Sequence, residues 1–171
     1  MSKINGIYAA SVSILDENLK LDINKTIRHA ENLIKSGCHG VVIFGSTGQS
    51  QLISLEEKFE LIQNISKSIF KDKFIIGTGL NSLQDTISLI KISNSYNFNN
   101  FLIMPPAYYM YEDKDVIRFY IKLIEKLSNC KIILYNFEKL SGYKFSKESV
   151  EKLVSLFPEN IIGVKDSSYN L

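Results

Sequence analysis

The chain has 171 residues, 45% of them apolar and 22% charged, with a formal net charge of +2. That is long enough for one domain with its own core, and too evenly charged to argue for nucleic acid or a membrane surface as a partner. No apolar run approaches the ~18 residues of a membrane span, and the start Met1-Ser2-Lys3-Ile4-Asn5 lacks the apolar stretch of a signal peptide, so the expected location is cytoplasmic.

Strand-like and helix-like segments alternate along the chain. Ile7 to Val12 is the first strand candidate. A helix is expected from about Ile23 to Ser36, with Ile23, Ile27, Ala30 and Ile34 on one face, Asp22 as N-cap and Gly37 just past its end. Val41 to Phe44 is the second strand. Ser54-Leu55-Glu56-Glu57 reads as a capping box opening a helix that buries Phe59, Ile62, Ile65 and Ile69. Phe74 to Gly77 is the third strand, and Ser82-Leu83-Gln84-Asp85 opens a helix backed by Thr86, Ile87 and Ile90. Phe101 to Met104 is the fourth strand, closed by Pro105-Pro106. A helix from Asp113 to Leu127 carries Val116, Tyr120, Leu123, Ile124 and Leu127, with Glu112, Asp113 and Asp115 at its positive end. Lys131 to Leu134 is the fifth strand, Ser146 to Phe157 a helix, and Ile161 to Val164 the sixth strand.

Continuous apolar strands separated by amphipathic helices mean a parallel sheet covered by helices. Two architectures fit: a doubly wound open sheet or a (β/α)8 barrel, and spacing alone does not choose between them. No linker or low-complexity stretch divides the chain, so residues 1–171 read as one domain.

Cys38 and Cys130 lie in no CxxC or Cys/His pattern and read as buried free thiols. His29 and His39 stand far from carboxylate or cysteine clusters, so no metal site is expected. No GxGxxG or P-loop sequence is present to bind a dinucleotide or a nucleotide phosphate.

Three segments share one grammar, an apolar strand followed by polar or reactive residues. Val41-Val42-Ile43-Phe44 leads into Gly45-Ser46-Thr47-Gly48, Ile132-Ile133-Leu134 into Tyr135-Asn136, and Ile161-Ile162-Gly163-Val164 into Lys165-Asp166-Ser167-Ser168. In a parallel barrel those ends converge on one face. A desolvated lysine amine there can attack a ketone to form a Schiff base, although a lysine ending a strand is more often a solvated terminus. The Gly45–Gly48 turn can cradle an anion such as a carboxylate with its amides and hydroxyls, or serve only as a tight turn. A strand-end tyrosine such as Tyr135 can shuttle a proton, or cover the barrel mouth. Tyr108 and Tyr109 suit an oligomer contact equally well.

Together these segments resemble one family, the pyruvate-dependent class I aldolases that include dihydrodipicolinate synthase and N-acetylneuraminate lyase. The resemblance rests on Gly45-Ser46-Thr47-Gly48-Gln49-Ser50 with Ser54-Leu55-Glu56-Glu57-Lys58, on Pro105-Pro106-Ala107-Tyr108-Tyr109, on Tyr135-Asn136 with Ser141-Gly142, and on Gly163-Val164-Lys165-Asp166-Ser167-Ser168. It implies a (β/α)8 TIM barrel of which about six βα units are present here. It implies a Schiff base between Lys165 and pyruvate or a 2-keto acid, leading to a dihydrodipicolinate synthase-like condensation or to cleavage of a 2-keto sugar acid such as N-acetylneuraminate. Gly45, Ser46, Thr47 and Gly48 then resemble the carboxylate cradle, and Tyr135 the proton-transfer phenol, linked through the Thr47 hydroxyl. Tyr109 resembles the tyrosine lent across a subunit contact, in a family whose full-length members are dimers or tetramers. No metal or organic cofactor is implied, because the iminium is itself the electron sink.

The sequence departs from the family's pattern. Glu138 stands where a proline is usual, Gln49 where a glutamate is common, and Leu140 where dihydrodipicolinate synthases usually carry an arginine; Leu140-Ser141-Gly142 resembles the neuraminate lyase and sugar-acid aldolase branches instead. The family chain continues through two more βα units, so a C-terminally truncated barrel with two open edges is expected. Two other readings stand beside the aldolase: an inactive remnant or interaction module, and a complete six-stranded open sheet binding a small anion at Gly45–Gly48.

Overall fold

The computed structural model describes residues 4–127 and 129–169. The elements in chain order are β1 (Tyr8–Ala10), α1 (Ile23–Lys35), β2 (Gly40–Ile43), α2 (Leu55–Ile65), β3 (Phe74–Gly77), α3 (Leu83–Ser95), β4 (Asn100–Ile103), α4 (Asp113–Ile124), β5 (Lys131–Asn136), α5 (Glu138–Ser141), α6 (Lys147–Leu156) and β6 (Ile161–Asp166). Two 3-10 turns, Ser50–Leu52 and Lys71–Lys73, and the short α5 add to the expected alternation. No helix among the described residues is long and apolar enough to cross a membrane.

The strands form one sheet in the order β1-β2-β3-β4-β5-β6, every neighbouring pair parallel. A doubly wound sheet reverses its strand order at a switch point; this one never does. Consecutive strands paired side by side are the wall of a (β/α)8 barrel, here an incomplete one. The open-sheet reading is thereby overturned.

Alternation along the strands divides the apolar residues between two faces. Val41, Ile43, Phe74, Ile76, Phe101, Ile103, Ile132 and Leu134 face the helices in the main core. Val42, Ile75, Leu102, Met104 and Tyr135 form a second cluster on the inner face. The inner face is therefore a packed barrel interior, and its residues nearest the carboxyl ends of the strands border the site.

The helices begin where their caps direct. Asp22 accepts the Lys25 amide, Ser54 and Glu57 complete a capping box, Ser82 accepts the Asp85 amide and Ser146 that of Ser149. Glu112 and Asp115 exchange hydrogen bonds at the start of α4. The α4 end is fastened further by Asp113, which accepts from the hydroxyls of Tyr143 and Ser146. Burial pushes the Tyr143 phenol up to about 12, and the adjoining Asp113 carboxylate acts in the same direction.

Some local expectations change. Ile69 is 90% exposed instead of buried, because α2 ends at Ile65 and the chain turns through Ser68, whose hydroxyl donates to Glu31 and accepts the Phe70 amide. The strand candidate Ile7–Val12 is ordered as a strand only over Tyr8–Ala10. β5 and β6 each run two residues further than their apolar runs, to Asn136 and Asp166. Cys130 is a buried free thiol, pushed up to about 12 by burial, whereas Cys38 is only half-buried.

Candidate active site

The carboxyl ends of β2, β5 and β6 carry the candidate residues Ser46, Tyr135 and Lys165. Phe44, directly after β2, is buried and takes a left-handed backbone with φ 54°. A bulky residue there marks local strain of the kind that gathers at functional sites. It turns the chain so that Gly45–Gly48 folds over the barrel mouth. Gly77 at the end of β3 leaves room for this turn: a Cβ on it would fall inside the Phe44 carbonyl. The far end of the loop is tied to the chain after β1, where the Ser13 hydroxyl donates to the Gly48 carbonyl at 2.6 Å. Within the loop, the Gln49 and Ser50 amides donate back to the carbonyls of Ser46 and Gly45. Among the described residues, the amides of Ser46, Thr47 and Gly48 donate to no backbone carbonyl. Such a row of amides suits an anion.

Lys165 pairs in register with Tyr135 across β5 and β6. Both side chains point into the barrel, and Lys165 Nζ lies 3.9 Å from the centroid of the Tyr135 ring. The same Nζ donates to Ser167 Oγ at 2.8 Å. Tyr135 is buried, and its hydroxyl lies 2.9 Å from Ser46 Oγ. Ser46, Tyr135 and Lys165 thus form one connected group drawn from three strand ends.

Thr47 is exposed, and the hydroxyl that meets Tyr135 is that of Ser46, in the place the sequence suggested for Thr47. Gly45 and Gly48 are buried beneath the loop. Tyr109 stands apart: it is 67% exposed and makes an edge-on contact with Tyr108 at 5.1 Å. The adjoining Tyr108 and Met110 are 89% and 98% exposed, so the segment after β4 presents an apolar surface.

A cavity of about 250 Å³ opens beside Tyr135. Gly45, Ser46 and Tyr135 form one side of it, and Leu52, Leu102, Met104 and Leu140 its apolar walls. Gln49 and Gln51 contribute amides; among the described residues no charged side chain is part of its lining, and Lys165 lies behind Tyr135 instead of in the wall. Of these walls Leu140 was singled out from the sequence, whereas Leu52, Leu102 and Met104 were not; Met104, just before Pro105-Pro106, was the available signal. Behind the cavity, Lys58 of α2 is fully buried, and its Nζ donates to the Thr78 carbonyl at 3.0 Å. The Ser50 hydroxyl donates to the same carbonyl at 3.1 Å. Burial pulls the Lys58 amine down to about 8, with Asp85 opposing.

A sequence profile described as the Dihydrodipicolinate synthetase family matches residues 3–171. The chain belongs to this family. A 4-hydroxy-tetrahydrodipicolinate synthase of Listeria monocytogenes serotype 4b (strain CLIP80459) is 35% identical over 150 residues, covering 86% of this chain and 50% of that protein. Dihydrodipicolinate synthase from Agrobacterium tumefaciens str. C58 superposes with a TM-score of 0.90 at 26% identity, over 96% of this chain and 59% of that one. The chloride-inhibited dihydrodipicolinate synthase of Acinetobacter baumannii, solved with pyruvate, superposes with a TM-score of 0.87 at 26% identity, over 98% and 57% of the two chains. The chain spans about half the length of the relatives it matches.

Proposed function

We propose that this protein is a Schiff-base-forming aldolase or synthase that takes pyruvate or a 2-keto acid, with Lys165 as the nucleophile. The observation that carries the reading is the meeting of Lys165, Tyr135 and Ser46 at the mouth of a parallel barrel. The pyruvate held by the Acinetobacter baumannii relative supports the substrate.

The neutral amine of Lys165 adds to the ketone carbon, forming a C–N bond while the carbonyl π pair moves onto oxygen. Protonation of that oxygen and loss of water leave an iminium. Tyr135, relayed through the Ser46 hydroxyl, serves as the positioned acid and base for these transfers. Loss of a methyl proton gives an enamine, whose carbon attacks an aldehyde; cleavage of a 2-keto acid runs the same steps backwards. The free amides of Ser46, Thr47 and Gly48 receive the substrate carboxylate.

For the partner aldehyde, the cavity favours an uncharged, hydroxylated compound, as in sugar-acid cleavage, over one bearing a carboxylate. Leu140 lies in the wall, two glutamine amides are present, and among the described residues no cation lines the space. The exposed Tyr108–Met110 segment supports a homo-oligomer, dimer or tetramer, in which Tyr109 reaches a neighbouring subunit's site. The free thiols Cys38 and Cys130 support a reducing, cytoplasmic setting.

Borohydride trapping with pyruvate, followed by peptide mass analysis, tests the reaction class. Reduction of the iminium should leave a 1-carboxyethyl adduct on Lys165. A folded chain that yields no adduct there, or yields it on another lysine, overturns the assignment.

A further inference from the structure

Directly behind the Tyr135–Lys165 pair lies a second pair. Asn136 and Asp166 are register partners on β5 and β6, one residue further along. Alternation places them on the outer face of the sheet, while Tyr135 and Lys165 face inward. Asn136 is buried, and both ends of its amide are used: Nδ2 donates to Asp166 Oδ1 at 2.7 Å, and Oδ1 accepts the Phe145 amide at 3.2 Å. Its backbone carbonyl accepts the Ser167 amide at 2.8 Å. Ser167 in turn accepts Lys165 Nζ. Asn136 therefore grips the residue on each side of the bond between Asp166 and Ser167, and through Ser167 reaches the amine itself.

Asp166 is shaped for the other half of this contact. It accepts from the Ser168 hydroxyl and from Asn136, and these bonds hold its carboxyl below the usual range. An asparagine is the chemical choice at position 136, because it must donate to one partner and accept from another; a carboxylate there could only accept. The Asn136–Asp166 bond lies at the carboxyl end of the β5–β6 pairing, directly beside the register pair Tyr135–Lys165.

We propose that Asn136 and Asp166 form a latch on the outer face of the sheet that positions Lys165 over Tyr135. Asn136 is a positioning residue: it touches no substrate, and it acts through Asp166 and Ser167. The proposal deepens the reading of Lys165 as nucleophile and gives a reason for the Asn and Asp beside the two reacting residues.

The test reads the amine without any substrate. Trace acetylation with acetic anhydride at mildly alkaline pH, followed by peptide mass analysis, gives the labelling of Lys165 relative to Lys147, an 81%-exposed side chain on α6 that serves as internal standard. Asp166→Ala removes the latch at an exposed residue, and should raise the ratio about fivefold as the amine leaves Ser167 and the ring. Asp166→Asn keeps an acceptor for Asn136 and should match the unmodified protein. Asn136→Asp sets two carboxylates against each other and should behave like Asp166→Ala. The exchange Asn136→Asp with Asp166→Asn restores one donor and one acceptor, and should return the ratio to its starting value. A loss of fold alone would raise the labelling of the buried Lys58 as well, whereas loss of the latch raises that of Lys165 selectively. An unchanged ratio in Asp166→Ala overturns the latch, as does an exchanged pair that folds but keeps the raised ratio. Pyruvate trapping, run separately on the unmodified protein, decides the Schiff-base reading and leaves the labelling result standing either way.

Discussion

Lys165 Nζ stands 3.9 Å from the centroid of the Tyr135 ring, on the strand that pairs in register with it. One aromatic side chain therefore offers the amine its π face and, from its far end, hands a hydroxyl to Ser46. The two roles can be separated by substitution. Lys165→Ala should abolish the trapped pyruvate adduct. Tyr135→Phe keeps the ring face and loses the hydroxyl, so the adduct should still form on Lys165 but ~100-fold more slowly. Equal rates for Tyr135→Phe and the unmodified protein, measured by quenched borohydride trapping, would remove Tyr135 from the proton path.

Ser46, and not Thr47, meets the Tyr135 hydroxyl. Exchange of the pyruvate methyl protons into deuterated water, followed by NMR at saturating pyruvate, reads the enamine step. Ser46→Ala should slow it about tenfold, the scale of one lost hydrogen bond, while Thr47→Val should stay within about twofold. The reverse order would return the relay to Thr47.

Lys58 makes stability depend on pH. Its amine is pulled from 10.5 down to about 8 by burial. Below about 8 the folded and unfolded chains both hold the proton, and the folded one carries the cost of burying the charge. Between about 8 and 10.5 only the unfolded chain holds it, so stability rises with pH across that window. Urea midpoints for the protein should climb through this range, and Lys58→Met should flatten the climb. Parallel profiles for the two proteins would show that Lys58 titrates normally.

Gly77 leaves space for the turn at Phe44. Gly77→Ala sets a Cβ against backbone that has no flexible end to move aside, and should cost about 3 kcal/mol or more in urea unfolding. Gly163→Ala is the contrast, since nothing lies within 4 Å of its Cβ position. A mild effect at Gly77 would mean that the loop over the barrel mouth yields easily.

The strand-and-helix alternation was legible because each strand is an unbroken apolar run and each main helix opens on a capping residue. The choice between open sheet and barrel was not, because it depends on which strands become neighbours and not on any local pattern. Lys165 and Tyr135 stood out as polar residues ending apolar runs, yet their strands continue through Asn136 and Asp166, because those polar side chains satisfy each other. Whether Ser46 or Thr47 faces the phenol follows from the left-handed backbone of Phe44, which no residue preference announces. Lys58 entered the sequence reading only as the end of the Ser54–Lys58 string; the packing of α2 against the β3 end reveals its carbonyl partner.

β6 has hydrogen-bonded company on one side only among the described residues, and Val164, whose neighbour in register is the buried Leu134, is 46% exposed. A strand so placed opens locally at far lower free energy than the sheet's interior. Its amides should lose protection against hydrogen exchange before those of β3 and β4. In the 171-residue polypeptide the lifetime of the amine's alignment is then set by how often this border strand breathes, and not by how rarely the whole molecule unfolds.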